Sequence, residues 1–399
     1  MESIYVDNNA TTPVAPEVYE AMIPYLTAQF HNPSSMYERA RGPAEAISRA
    51  RRTIAAFLGA AQPEEIVFTS CGTESNNAAL RGVARAAPAR RHVITTAVEH
   101  PAVLEVAKVM AREGFEVSLL PVDEAGRLDV ADFVRALRPD TLIVSVMHGN
   151  NETGVLFPVA ELARITKETS PDIVFHTDAT QTVGKVPIDL SGAFRHVDLL
   201  SFSAHKLHAP KGVGALFVRR GTPVATFMIG GHQERGRRAG TENVAGIVAM
   251  GTACELAQRT MGEEERVRAL RDRLERELLA RIPYARVNGA GAERLPGTLN
   301  VSFFYIEGES ILFQLDAHGV CASSGSACTS GSLEPSHVLM AMKVPHSAAH
   351  GSVRLSLSRY NTEQEIDTII EVMPAVVASL RRLSPYWDAE KGAPRPDAP

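Results

Sequence analysis

Two neighbouring stretches decide the fold: IVFHTDATQ at 173–181 and DLLSFSAHKLHAPKGVGALFV at 198–218. Their apolar runs are nearly continuous instead of alternating, as in strands covered on both faces, and each stops at a polar or turn-forming cluster. Outward from there, EIVFT (65–69), HVITT (92–96), EVSLLP (116–121) and TLIVSVM (141–147) repeat the pattern, with stretches of helical length at 73–86, 102–113 and 159–168 among them. Such alternation predicts an α/β fold around a mostly parallel sheet. Past Thr241 the texture changes. Residues 263–280 carry Val267, Leu270, Leu274 and Leu278 at helical steps behind an acidic first turn, which predicts a surface helix. TLNVSF, SVRLSL and a helix over 363–383 follow with longer loops, as in a smaller α+β domain, and place the boundary near 255–262. Residues 388–399, DAEKGAPRPDAP, hold three prolines and almost nothing apolar, so no order is expected there.

The chain has 399 residues, 22% charged and 45% hydrophobic, enough to bury a sizeable core and to divide in two. Its net charge of −5 lacks the basic excess of a protein that tracks a phosphate backbone, so nucleic acid is not an expected partner. No apolar run approaches the roughly 20 residues that cross a bilayer, and Glu2, Asp7, Asn8 and Asn9 interrupt any secretory leader. A cytoplasmic protein with no membrane partner is expected. The four cysteines show no CxxC spacing and no cluster with histidine, which predicts neither a disulfide framework nor a structural metal. Cys321 and Cys328 could pair across their Ser/Gly-rich stretch, but a reducing compartment favours free thiols.

The candidate chemistry gathers where strands end. Lys206, closing SFSAHK, is either a solvated lysine or an amine in a partly desolvated pocket, where lowered basicity suits a Schiff base with an aldehyde cofactor. Asp178 ends IVFHTD at the carboxyl edge, where ligands of open α/β sheets bind. It either caps the next helix or pairs with a protonated pyridine nitrogen, so that the ring draws electrons from a carbanion. In TSCGTESNN (69–77), Gly72 permits a tight turn and Thr73 opens a helix, which makes an ordinary N-cap or a phosphate site. His100 in VEHPAV follows another strand and reads equally as a helix-entry residue.

These motifs, with HGNNETG (148–154), GGHQERGRRAGTEN (230–243) and ASSGSACTSGSLEPSHVL (322–339), resemble the class V, fold-type I pyridoxal-phosphate enzymes, specifically the cysteine desulfurases of the NifS type. The likeness runs from DNNATTP (7–13) to SVRLSLSRYNTEQEID (352–367). It implies a large cofactor-binding domain over 15–257 around a seven-stranded sheet, and a small domain made from 1–14 and 258–387. It also implies Lys206 as the lysine that anchors pyridoxal 5'-phosphate and shuttles the substrate α-proton. Asp178 matches the partner of the pyridine nitrogen, Gln181 the residue bonded to the phenolic oxygen, and His100 the imidazole stacked on the ring. Thr73, His205 and Ser203, or Ser201 in its place, are similar to phosphate ligands. Thr241 resembles a residue that reaches the phosphate from a neighbouring subunit, which implies a homodimer. Asn151 and Arg354 match the groups that orient the substrate and bind its carboxylate, for which a guanidinium fork is well shaped.

Cys328 selects the reaction. In a run of small residues it is either a buried loop thiol or a nucleophile on a mobile arm, and the resemblance implies the second. The implied reaction converts L-cysteine to L-alanine and leaves sulfur on Cys328 as a persulfide, for an iron-sulfur scaffold or another acceptor protein. Nitrogenase cluster assembly is the purpose nearest in likeness; housekeeping assembly is the other. A selenocysteine lyase or class V aminotransferase would use the same Lys206, Asp178 and His100, and a non-catalytic docking scaffold is the reading of another class. Cys328 in its Ser/Gly loop favours the desulfurase. Two departures from the family pattern are Ala204, where glycine is frequent, and His148 with Gly149 ahead of the matched asparagines.

Overall fold

The computed structural model describes residues 3–324 and 335–396; Cys328 lies outside the described residues. After a short strand β1 (Ile4–Tyr5), seven strands form the main sheet: β2 (Ile66–Thr69), β3 (His92–Thr96), β4 (Glu116–Leu120), β5 (Thr141–Ser145), β6 (Val174–Asp178), β7 (Leu199–Ser203) and β8 (Gly214–Val218). Their spatial order is β2-β8-β7-β6-β5-β3-β4. Only β8 runs antiparallel to its neighbours. Residues 204–213, which join β7 to β8, are too few for the crossover a parallel pair needs, so the chain turns back instead.

The continuous apolar runs have the predicted cause. Successive residues point to opposite faces, and both faces are covered. Phe68, Val144, Phe175, Leu200 and Phe217 enter one core, while Val67, Ile143, Val174, Leu199 and Leu216 enter the other. The first core is closed by helices Pro16–Leu26, Arg41–Leu58 and Val244–Thr260, which the sequence patterns did not single out. The last of these buries nearly every side, which erases the amphipathic signal. Its Gly251 lies so close to Ala50 that a β-carbon would sit 2.9 Å from the Ala50 Cα, and the missing side chain permits the crossing.

A second sheet of β9 (Ala285–Val287), β10 (Thr298–Phe303), β12 (Ser323–Ser324) and β13 (Ser352–Ser356) is antiparallel, in the order β12-β13-β10-β9. Helices Glu264–Arg281, Gly308–Ala317 and Glu363–Leu383 cover it through Leu274, Ile311, Ile366 and Ile370, in one core with Leu299 and Leu355 of the sheet. Strand β11 (Val320–Cys321) pairs in parallel with β1, which ties the first residues of the chain to its last third. The tail departs from expectation. Trp387–Asp388 pairs with Ala393–Pro394, and Trp387 is buried with the Arg381 guanidinium 4.5 Å from its ring. Burying that indole and pairing its neighbours orders residues 388–396, where composition alone predicted no structure.

Candidate active site

Every parallel strand of the main sheet ends at one edge, and the loops beyond β2, β3, β5, β6 and β7 enclose a cavity of about 280 Å³. Asn9, Thr73, His100, Asn151, Asp178, Gln181, Ser203, His205, Lys206 and Arg354 all line it. A larger cavity of about 490 Å³ at the β2–β8 edge, lined by Val67, Leu216 and Arg238 among others, carries none of the sequence-predicted site residues. Of those residues, Thr241 is exposed and outside the lining of the 280 Å³ cavity; Cys328 lies outside the described residues.

Asp178 is the last residue of β6 and is 6% exposed. Its Oδ2 accepts from Asn76 Nδ2 at 2.6 Å and its Oδ1 from the Thr180 N–H at 2.9 Å, so both oxygens are held in place by neutral donors. Among the described residues it joins no ion pair. His100 caps helix Pro101–Arg112, its Nδ1 accepting from the Ala102 N–H at 3.1 Å, which puts the ring proton on Nε2 in the neutral tautomer. Burial lowers the basicity of this imidazole, with the charge of Asp178 opposing and that of Lys206 adding to the effect. His205 is pushed down to about 4, by burial first and then by Lys206 and Lys211. The ring beside Lys206 is therefore neutral at pH 7.

Lys206 ends the short turn Ala204–Lys206 after β7, and its Nζ donates to the backbone carbonyls of Asn9 and, at 2.7 Å, Ala10. Arg354 in β13 is 1% exposed; its Nη1 donates to the Asn151 carbonyl at 3.0 Å and its Nη2 to Asp7 Oδ1 at 2.8 Å, while its Nε has no partner among the described residues. Between these two cations lies a residue that the sequence patterns missed. Asn9 is 3% exposed, gives its carbonyl to Lys206 and to Gln181 Nε2 (3.0 Å), and donates through Nδ2 to the Asn151 carbonyl and to Thr298 Oγ1. Two adjacent asparagines in a turn-rich N-terminus carry no hint of burial; the β1–β11 pairing and bonds from Asn8 and Asn9 to Ser356 of β13 bring them here. Asn76 and Asp7 were missed for the same reason, since their partners Asp178 and Arg354 lie far off in sequence.

The chain belongs to the aminotransferase class-V family, whose profile matches residues 4–369. Within it, the chain is 54% identical over 388 residues to the cysteine desulfurase NifS of Azotobacter vinelandii, covering 97% of this chain and 96% of the relative. A cysteine desulfurase of Gluconacetobacter diazotrophicus is 52% identical over 403 residues, covering 100% and 99%. Among solved structures, a NifS-like protein superposes with a TM-score of 0.89 at 38% identity, covering 95% of this chain and 100% of that one. A NifS-like protein from Rickettsia africae gives 0.84 at 30% identity, with 94% and 99% covered.

Enzymes of this family depend on pyridoxal phosphate, and the residues present fit it. Ser203 Oγ and Thr180 Oγ1 are buried without a hydrogen-bond partner among the described residues. Both face the first turn of helix Gly72–Ala86: a β-carbon on Gly72 would lie 3.0 Å from Thr180 Oγ1 and 3.5 Å from the Ser203 Cβ. Two idle hydroxyls beside free helix amides suit a phosphate. Ser201, the other candidate there, is already occupied, its hydroxyl lying 3.0 Å from His176 Nε2. A buried carboxylate that joins no ion pair among the described residues, Asp178, suits a protonated ring nitrogen.

Proposed function

We propose that this chain is a cysteine desulfurase that converts L-cysteine to L-alanine and leaves sulfur on Cys328 as a persulfide. The observation that carries the reading is the convergence of Lys206, Asp178, His100 and Arg354 on one cavity. Bound pyridoxal phosphate supplies an aldehyde that links to amines and a ring that takes up the electrons of a carbanion. The chain supplies the charges and distances around it. Lys206 holds the cofactor and moves the substrate α-proton; Asp178, fixed by Asn76 and the Thr180 amide, keeps the ring nitrogen positive. Gln181 donates to the phenolic oxygen. Thr73, Ser203 and His205 hold the phosphate, joined by Thr241 of a second copy in a homodimer. Arg354 offers its idle Nε to the substrate carboxylate beside Asn151. His100, neutral and protonated at Nε2, is placed to give or take a proton at the substrate sulfur. The substrate Cβ–Sγ bond breaks, that sulfur bonds to the Cys328 thiolate, and Cβ takes a proton to become the alanine methyl.

In this reading residues 15–257 form the cofactor-binding domain, and 1–14 with 258–387 form the smaller one that carries the cysteine loop. The protein works in the cytoplasm, and its sulfur goes to an iron-sulfur scaffold, with nitrogenase clusters as the destination. Support for that destination is the likeness to the Azotobacter vinelandii relative. Mass spectrometry of the purified, yellow protein after exposure to L-cysteine tests the reading. One added sulfur on the peptide containing Cys328, with alanine in solution, is expected. Unchanged cysteine would leave only a docking role.

A further inference from the structure

Lys206 also lines a second, small cavity of about 30 Å³, together with Asn9, Lys185, His208, Glu264 and Arg359. Lys185 places its Nζ 3.3 Å from Gln181 Oε1 and 3.5 Å from Asn9 Oδ1. An ammonium only donates, so it can face only the oxygen of each amide. Gln181 Nε2 donates in turn to the Asn9 carbonyl at 3.0 Å. A flipped Gln181 amide would set NH₂ against ammonium and oxygen against carbonyl, two repulsive contacts in place of two bonds. The amide therefore has one orientation, and its second N–H remains for the 280 Å³ cavity that Gln181 lines.

We propose that Lys185 is a positioning residue of the active site: it fixes the Gln181 amide so that an N–H faces the cofactor's phenolic oxygen, and it keeps a second positive charge beside Lys206. The proposal rests on the cofactor assignment made above and adds a residue to it. Lys185 is faced by Glu264, which supports its charge, and by Arg354, which opposes it; Lys206, His205, His208 and Arg359 complete the charged and titratable surroundings. Burial pushes its amine down to about 8, so the charge is present at neutral pH and fades above it.

The test compares holoprotein of the natural sequence with Lys185→Met, Lys185→Gln and Lys185→Arg, following the visible absorption of the bound cofactor against pH. Losing the positive charge and losing the donor to the phenolic oxygen both favour the protonated chromophore. The spectral midpoint should thus rise by about one pH unit in the Met and Gln variants and return toward the natural value with arginine. Cofactor rebinding by the stripped proteins, read by fluorescence, should weaken roughly tenfold in the same two variants. An unchanged midpoint in whichever of the Met and Gln variants folds would overturn the role of Lys185. If the natural protein itself takes up no pyridoxal phosphate, the cofactor assignment fails instead.

Discussion

Lys206 and Arg354 are each held by partners from distant segments of the chain. The proposed function gives Lys206 and Cys328 separable duties, so Cys328→Ala should stay yellow with pyridoxal phosphate and release no sulfur, while Lys206→Ala should lose both colour and turnover; absorption spectra and alanine assays distinguish them. Arg354 is positioned by two bonds, and its Nε has no partner among the described residues. Arg354→Lys keeps a charge but loses the planar fork, and is expected to raise KM for cysteine about tenfold with a smaller change in kcat, as for lost uniform binding. Lys206 and Asp178 were legible in the sequence because each falls where an apolar run ends, and Arg354 through the family resemblance of its segment. Asn9 was not, because its importance lies in four bonds to residues more than a hundred positions away.

Elements position these groups, and two of them can be tested directly. The first turn of helix Gly72–Ala86 approaches Thr180 and Ser203 closely enough that Gly72→Ala must push a β-carbon toward the Thr180 hydroxyl. The phosphate cradle should narrow and cofactor retention weaken, measured by pyridoxal phosphate loss on dialysis. Helix Glu363–Leu383 opens with a capping box in which Thr362 and Glu365 exchange bonds with each other's backbone. Thr362→Ala should cost about 1 kcal/mol in urea unfolding without touching the site. This helix matched its sequence pattern because cap, acidic first turn and apolar stripe agree. Helix Val244–Thr260 escaped notice because it packs between Pro16–Leu26 and Arg41–Leu58 and exposes only a short polar strip, Glu255, Gln258 and Arg259, near its end.

The whole molecule stores much titratable chemistry in its interior, with a consequence for stability. His148, His176, His205 and His208 are each pushed down to about 4, chiefly by burial. Their unfolded counterparts bind protons below about 6.5, so stability is lost as pH falls from there toward 4. Glu99 and Glu152 are raised by burial to about 8 and about 7, so the stability they contribute fades as pH rises from about 4.5 and is gone once pH passes those values. Thermal unfolding scanned from about pH 4 to 8 should peak between about 6 and 7 and fall on both sides; a Tm still rising at about pH 7.5 would contradict this assignment. Glu99→Gln should flatten the alkaline side. The sequence by itself determined the α/β class, the run of strands and the set of groups waiting at their ends, because a strand covered on both faces writes its burial into consecutive residues. Only the tertiary structure decided which of those groups share a cavity, that β8 turns back, and that Asn9 and Lys185 stand behind Lys206. Those contacts join segments far apart along the chain, and no local pattern of polarity records a partner that arrives through space.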